Sequence, residues 1–153
     1  MEIDILDTGH WIAPWKFDVN KFVGFQYRIT QISTNRQYIG KKFFYSITRK
    51  IVKNKKNRKK IIKESNWKNY CGSCKWLLSE IEKCGKEDFI FQIESLCESR
   101  SNLAWREVER LVKENVLREK LQDGSPKYFN GIIPPVKFKI CEETQNEKEY
   151  KID

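Results

Sequence analysis

Large apolar side chains alternate at Phe25, Tyr27 and Ile29, which puts all three on one face of a strand over residues 24–29. Residues 31–36, centred on Ser33, Thr34 and Asn35, read as a turn, and residues 37–44 as the returning strand. Further on, Trp76, Leu77, Ile81 and Cys84 recur at helical spacing, predicting a helix over 74–84 that Gly85 stops. Phe89, Phe91 and Ile93 alternate as the next strand, continuing toward Cys97. A second helix, capped by Ser101 or Asn102, runs to about Arg118. Its buried stripe is Ala104, Val108, Leu111 and Val112, with Trp105 at the margin and Arg106, Arg110 and Lys113 opposite. Residues 123–126 form a turn, and 136–140 a final strand. Before the first strand, residues 10–15 read as an aromatic arm packed on the domain, ending where Pro14 forbids regular structure.

Hairpin, connection, helix, strand and helix, in that order, predict a small α+β fold with an antiparallel sheet of about three strands flanked by helices. The chain's 153 residues suit one domain with a modest core. Residues 1–20 would be the arm and 22–131 the core, with an insertion at 46–66 and an extension at 132–153.

Charge changes the picture most in that insertion. The chain carries a net +9, yet Val19 to Lys63 contains 14 lysines and arginines and no acidic residue. Segregation of this kind makes a local positive field rather than a generally basic surface. Its densest part, residues 49–60, has few apolar anchors and reads as a loop or frayed helix. The natural partner is a polyphosphate backbone, whose counterions are released as phosphates are neutralised. Gly40, Lys41, Lys50, Lys53, Lys55, Lys56, Arg58, Lys59 and Lys60 are the expected contacts, with double-stranded DNA rather than a small molecule as substrate. A membrane is disfavoured, since Ile51, Val52, Ile61 and Ile62 make no broad apolar face and no run is long enough to span a bilayer. The acidic start (Glu2, Asp4, Asp7) does not resemble a secretion signal, so a cytoplasmic protein is expected. Five cysteines without framework spacing read as free thiols; Cys71 and Cys74 lack the further ligands that zinc needs.

The candidate chemistry lies in the first hairpin. Tyr27 and Tyr38 fall on neighbouring strands beside Gly40, whose missing side chain would let a ligand approach the backbone. Two such tyrosines are also what ordinary cross-strand packing would use. More motifs follow: Tyr38-Ile39-Gly40-Lys41-Lys42, the segment Trp67 to Ser73 (Trp-Lys-Asn-Tyr-Cys-Gly-Ser), Gly85 to Phe89, Trp105-Arg106-Glu107 and Phe129-Asn130. Together they resemble the GIY-YIG endonuclease family, in its phage-encoded, homing-type or Seg-like branch, with Gly24-Phe25-Gln26-Tyr27 in place of the first triplet.

The resemblance implies a DNA endonuclease in which Tyr27 is general base and Tyr38 positions phosphate or water. Glu107 would bind Mg²⁺ or Mn²⁺, Arg49 (or Arg58) would stabilise the transition state, and Lys42 and Asn130 would complete the site. Helical geometry does not choose Glu107 over Glu109; the family motif after Trp105 does. Tyrosine is a weak base at neutral pH, and lowering its pKa by ~3 units requires about 4 kcal/mol of phenolate stabilisation. Nearby cations (Lys41, Lys42, Arg49) and the metal are the expected source. Two alternatives are a catalytically inactive nucleic-acid-binding module on the same scaffold and an interaction protein whose basic loop meets an acidic partner.

Overall fold

The computed structural model describes residues 6–136. Three antiparallel strands form the main sheet in the order β2-β1-β5, with β1 spanning Gly24–Gln31, β2 Gln37–Phe43 and β5 Phe89–Cys97. β1 is therefore central and fully paired, and β2 is an edge. The hairpin register sets Tyr27 opposite Gly40 and Ile29 opposite Tyr38. Phe25, Tyr27 and Ile29 are buried, as alternation predicts. Opposite Tyr27 the pairing of β1 with β5 slips by one residue, so Glu94 is left over between Ser95 and Ile93. Bulges of this kind bend a strand and re-aim its side chains.

The two faces of the sheet carry different cores. Helix α1 (Lys75–Cys84) and the segment before it cover the face of Phe25, Tyr27 and Ile29, where Trp11, Phe44, Trp67, Leu77 and Phe91 complete an aromatic-rich cluster. Helix α2 (Arg100–Lys113) packs on the other face, where Ile39 meets Leu111, Val116 and Tyr128. The cap of α2 is Ser99, whose Oγ accepts from the Asn102 amide at 3.1 Å, and not Ser101 or Asn102. The helix also stops at Lys113 rather than Arg118, because Asn115 adopts a left-handed conformation (φ 51°) just beyond it. Its buried residues are Leu103, Glu107 and Leu111. The expected stripe was rotated: Val112 is exposed, and a glutamate takes the middle position.

The basic insertion is neither a loop nor a frayed helix. Tyr45–Lys50 (β3) and Lys59–Glu64 (β4) pair as an antiparallel ribbon that forms a separate two-stranded sheet. β-Branched residues at Ile47, Thr48, Ile61 and Ile62 favour strands, and Asn54 supplies a left-handed turn position (φ 71°).

Both edges of the main sheet are managed. The arm docks on β5 through Ile12, whose N–H donates to Phe91 O at 2.8 Å and whose carbonyl accepts from Ile93 N at 2.9 Å. Trp11 beside it is buried in the core. The segment around Tyr128 runs parallel to β2, with Gln37 N donating to Lys127 O and Phe129 N donating to Gln37 O. Val136 belongs to no strand, and residues 137–140 of the expected final strand lie outside the described residues.

Candidate active site at the edge of β2

Alternate residues of an edge strand turn their backbone N–H groups away from the sheet, and each must find a partner. On β2 the outward groups belong to Gln37, Ile39 and Lys41. The strap at 127–129 satisfies Gln37. At Ile39 the Asn130 side chain replaces backbone: its Oδ1 accepts from Ile39 N at 3.0 Å and its Nδ2 donates to Ile39 O at 2.8 Å. Past this point the strap leaves. The Lys41 N–H instead faces the Glu107 carboxylate, and the Lys41 ammonium lies 3.9 Å from Glu107 Oε1.

A pocket of about 330 Å³ opens at this gap, lined by Tyr38, Ser73, Cys74, Glu107, Phe129 and Asn130. Glu107 and Tyr38 come from opposite faces of the sheet and meet around its edge. A larger hollow of about 460 Å³ beneath the arm, between Trp15, Phe17, Phe22 and Leu96, includes neither tyrosine and not Glu107.

Tyr27 is 1% exposed, and its ring stands 6.2 Å from those of Tyr38 and Tyr70. Its hydroxyl crosses β2 over Gly40, where a Cβ would run into that oxygen and lie 2.6 Å from Tyr27 Cζ. The open space at Gly40 is thus taken by Tyr27, and not left for a ligand as the sequence reading expected. Gly72, at φ 88°, lets the loop before α1 close over both phenols: a Cβ there would sit 3.1 Å from Tyr38 Cε1 and 3.5 Å from the Tyr27 hydroxyl.

Burial dominates the electrostatics. It lifts the Tyr27 phenol well above its usual range, and the neighbouring Tyr38, Tyr70 and Glu107 push it the same way. Tyr38 is raised by burial, with a hydrogen bond from Ser73 opposing. Burial also raises Glu107, against the Lys41 ammonium and N–H. Lys42 lies 4.0 Å above the Tyr70 ring, and burial lowers its pKa. The free protein therefore holds two neutral phenols, and the expected lowering of the Tyr27 pKa by neighbouring cations is not found.

Of the residues anticipated, Tyr38, Glu107 and Asn130 line one pocket, Tyr27 reaches it over Gly40, and Lys41 and Lys42 flank it. Arg49 is not there. It stands exposed on β3, paired with Lys60, and Arg58 lies in the ribbon's tip beside β4. The helix expected to carry an arginine after Tyr38-Ile39-Gly40 is replaced by this ribbon. Glu109 is excluded from the pocket by its own partners, Trp105, Arg106 and Lys113, on the solvent side of α2. Sequence reasoning missed Ser73 and Cys74 as pocket walls, although both lie within the Trp67–Ser73 motif or next to it. Cys71, Cys74, Cys84 and Cys97 are free thiols. Among the described residues no three His, Cys, Asp or Glu side chains cluster as a metal cage, and no helix is long and apolar enough to cross a membrane.

Comparison with protein families matches residues 11–133 to the family described as "Putative endonuclease segE, GIY-YIG domain". No curated protein and no solved structure matches the chain.

Proposed function

Since this chain belongs to the GIY-YIG endonuclease family, we propose that it is a metal-dependent DNA endonuclease hydrolysing phosphodiester bonds at the open stretch of the β2 edge. One observation carries this reading: a buried carboxylate and a phenol from opposite faces of the sheet share one pocket where the edge is left without a strap.

Hydrolysis of a phosphodiester needs a proton removed from water and negative charge offset at phosphorus. Lys41 and Lys42, on either side of the strand, offset phosphate charge from both sides of the edge. Tyr38 lines the pocket and orients the phosphate or the attacking water. Tyr27 accepts the proton, and its high pKa in the free protein confines that role to the loaded site, where cationic charge stabilises the phenolate. Asn130 keeps Ile39, and with it Tyr38, at the rim. Glu107 fits a hard divalent cation: it is a mostly buried carboxylate whose one cationic neighbour is 3.9 Å away, and Mg²⁺ keeps several waters when a single carboxylate holds it. Bound there, Mg²⁺ or Mn²⁺ would supply Lewis-acid neutralisation of phosphate oxygen. A second reading, a binding module without catalysis on this scaffold, draws on the raised Tyr27 pKa and on the position of Arg49 outside the pocket.

The test is nicking of supercoiled plasmid with Mg²⁺ or with chelator. Glu107→Gln should lose cleavage by about 10²-fold or more and lose Mn²⁺ binding followed by electron paramagnetic resonance, while still binding DNA. Wild-type cleavage by that variant removes the metal role. Tyr27→Phe keeps the ring and should cut about 10²- to 10⁴-fold more slowly with its fold intact. No metal-dependent nicking by the unaltered protein would favour the second reading.

A further inference from the structure

The β3–β4 ribbon is not used by the pocket. Its strands pair only with each other, from Tyr45↔Glu64 to Lys50↔Lys59, and no helix or other strand packs substantially on either face. One face carries Ile47, Arg49, Lys60 and Ile62; the other carries Thr48, Lys50, Lys59, Ile61 and Lys63. Residues 45–64 hold nine lysines and arginines against one carboxylate, Glu64 at the base, which is engaged by Trp67 and Lys68. Among the described residues none of those nine cations has a carboxylate within ion-pair distance. Like charges also face each other across the strands, Arg49 opposite Lys60 and Lys50 opposite Lys59.

Such a ribbon is costly on its own. An isolated two-stranded hairpin is marginal in water, and like charges directly opposite destabilise it further. Ile47 and Ile62, cross-strand partners, stay 42% and 58% exposed, so little apolar burial offsets the repulsion. A polyanion reverses the balance, turning each repulsive pair into two phosphate contacts. Shape then selects the polyanion. A two-stranded ribbon fits the major groove of B-DNA, about 12 Å wide, whereas the major groove of A-form RNA is too deep and narrow. Six residues per strand reach ~20 Å, about six base pairs at ~3.4 Å each. Alternating side chains would put cations toward both phosphate walls, and Ile47 and Ile62 toward thymine methyls.

We propose that the β3–β4 ribbon is a duplex-DNA-binding arm that enters the major groove and anchors the substrate beside the pocket. This rests on the endonuclease reading for what happens to the DNA, but not for its capture. Two residues separate Phe43, the end of β2, from Tyr45, so DNA held by the ribbon passes the strand edge where Glu107 and Tyr38 meet.

The decisive experiment measures binding of a labelled 30-base-pair duplex, with chelator present, across about 50 to 300 mM salt. The full chain is compared with a variant carrying Lys→Gln at 50, 53, 55, 56, 59 and 60. The log–log salt slope should fall by about 4–5, at ~0.9 per lost phosphate contact, with affinity at 150 mM at least 100-fold weaker. Methylation of guanine N7 should interfere with binding by the unaltered protein and not by the variant. Cleavage lost by the variant at 150 mM salt should return at about 20 mM. A second variant, with residues 47–62 replaced by a short Gly-Asn turn, should bind equally weakly, and covers the case in which the first does not fold. Unchanged slope and affinity in both would overturn the proposal. So would equal binding of duplex RNA, or no effect of N7 methylation. The two readings fail separately: ribbon-dependent binding without any Mg²⁺- or Mn²⁺-dependent nicking removes the nuclease alone, and nicking with ribbon-independent binding removes the arm alone.

Discussion

At residue scale, the site depends on one absent side chain. Gly40 has no substitute, because even a methyl group collides with the Tyr27 hydroxyl, which belongs to a rigid ring held by Trp11, Phe25 and Tyr70. Gly40→Ala should therefore lower stability by about 1–3 kcal/mol, seen as a reduced urea midpoint, and displace Tyr27 enough to abolish nicking. An unchanged midpoint would show that the ring can move aside. Glu107 is the second exceptional residue. It occupies the middle of the series Leu103, Glu107, Leu111, where spacing demands an apolar side chain. That mismatch explains why the apolar pattern alone misplaced the buried face of α2. A reader of the sequence sees Leu103 and Leu111 separated by a charge and rotates the stripe toward Val108 and Val112. The family motif, not periodicity, picks out Glu107, and the structure supplies the physical reason: the carboxylate faces a backbone N–H left without a strand partner.

At the scale of elements, the hairpin, α1 and β5 were legible because period-2 and period-3.6 patterns are strong there and turn residues bound them. The ribbon was not. Lysines at most positions hide an alternation that in soluble domains is revealed by burial, and this ribbon buries little on either face. The strap was equally invisible, since its pairing with β2 joins residues about 90 positions apart. Its anchor is testable. Asn130→Ala leaves both Ile39 N–H and Ile39 C=O without partners, which should cost about 1–3 kcal/mol and loosen the rim that carries Tyr38. Amide exchange at Ile39 should speed up, and nicking should fall together with it. Unaltered exchange would mean that water replaces the side chain at no cost.

At the scale of the whole molecule, the arm ties the chain before β1 to the opposite edge of the sheet, and its lock is titratable. His10 stacks on Phe91 at 3.9 Å and its Nε2 lies 2.8 Å from Tyr70 O; burial, with Lys86 nearby, lowers its pKa to about 4. The folded state thus favours neutral imidazole. The stability this gives is complete above about pH 6.5 and lost as pH falls toward 4. Allowing for its half-exposed setting, the loss is on the order of 2 kcal/mol. Chemical denaturation at pH 7.5 and 4.5 should show that drop, and His10→Phe should reduce it; equal drops in the two proteins would place the pH sensitivity elsewhere. At the alkaline end the raised phenols of Tyr27 and Tyr38 act in the other sense, since their stabilising contribution fades as pH climbs beyond 10. The ribbon leaves and rejoins the body at almost one point: Phe44 N donates to Val23 O, and Ser65 N donates to Phe44 O at 2.8 Å. Everything between those two residues can be lengthened, trimmed or exchanged without disturbing the sheet. Natural selection or an engineer could therefore retarget the enzyme by swapping a single cassette while its cutting centre stays as it is.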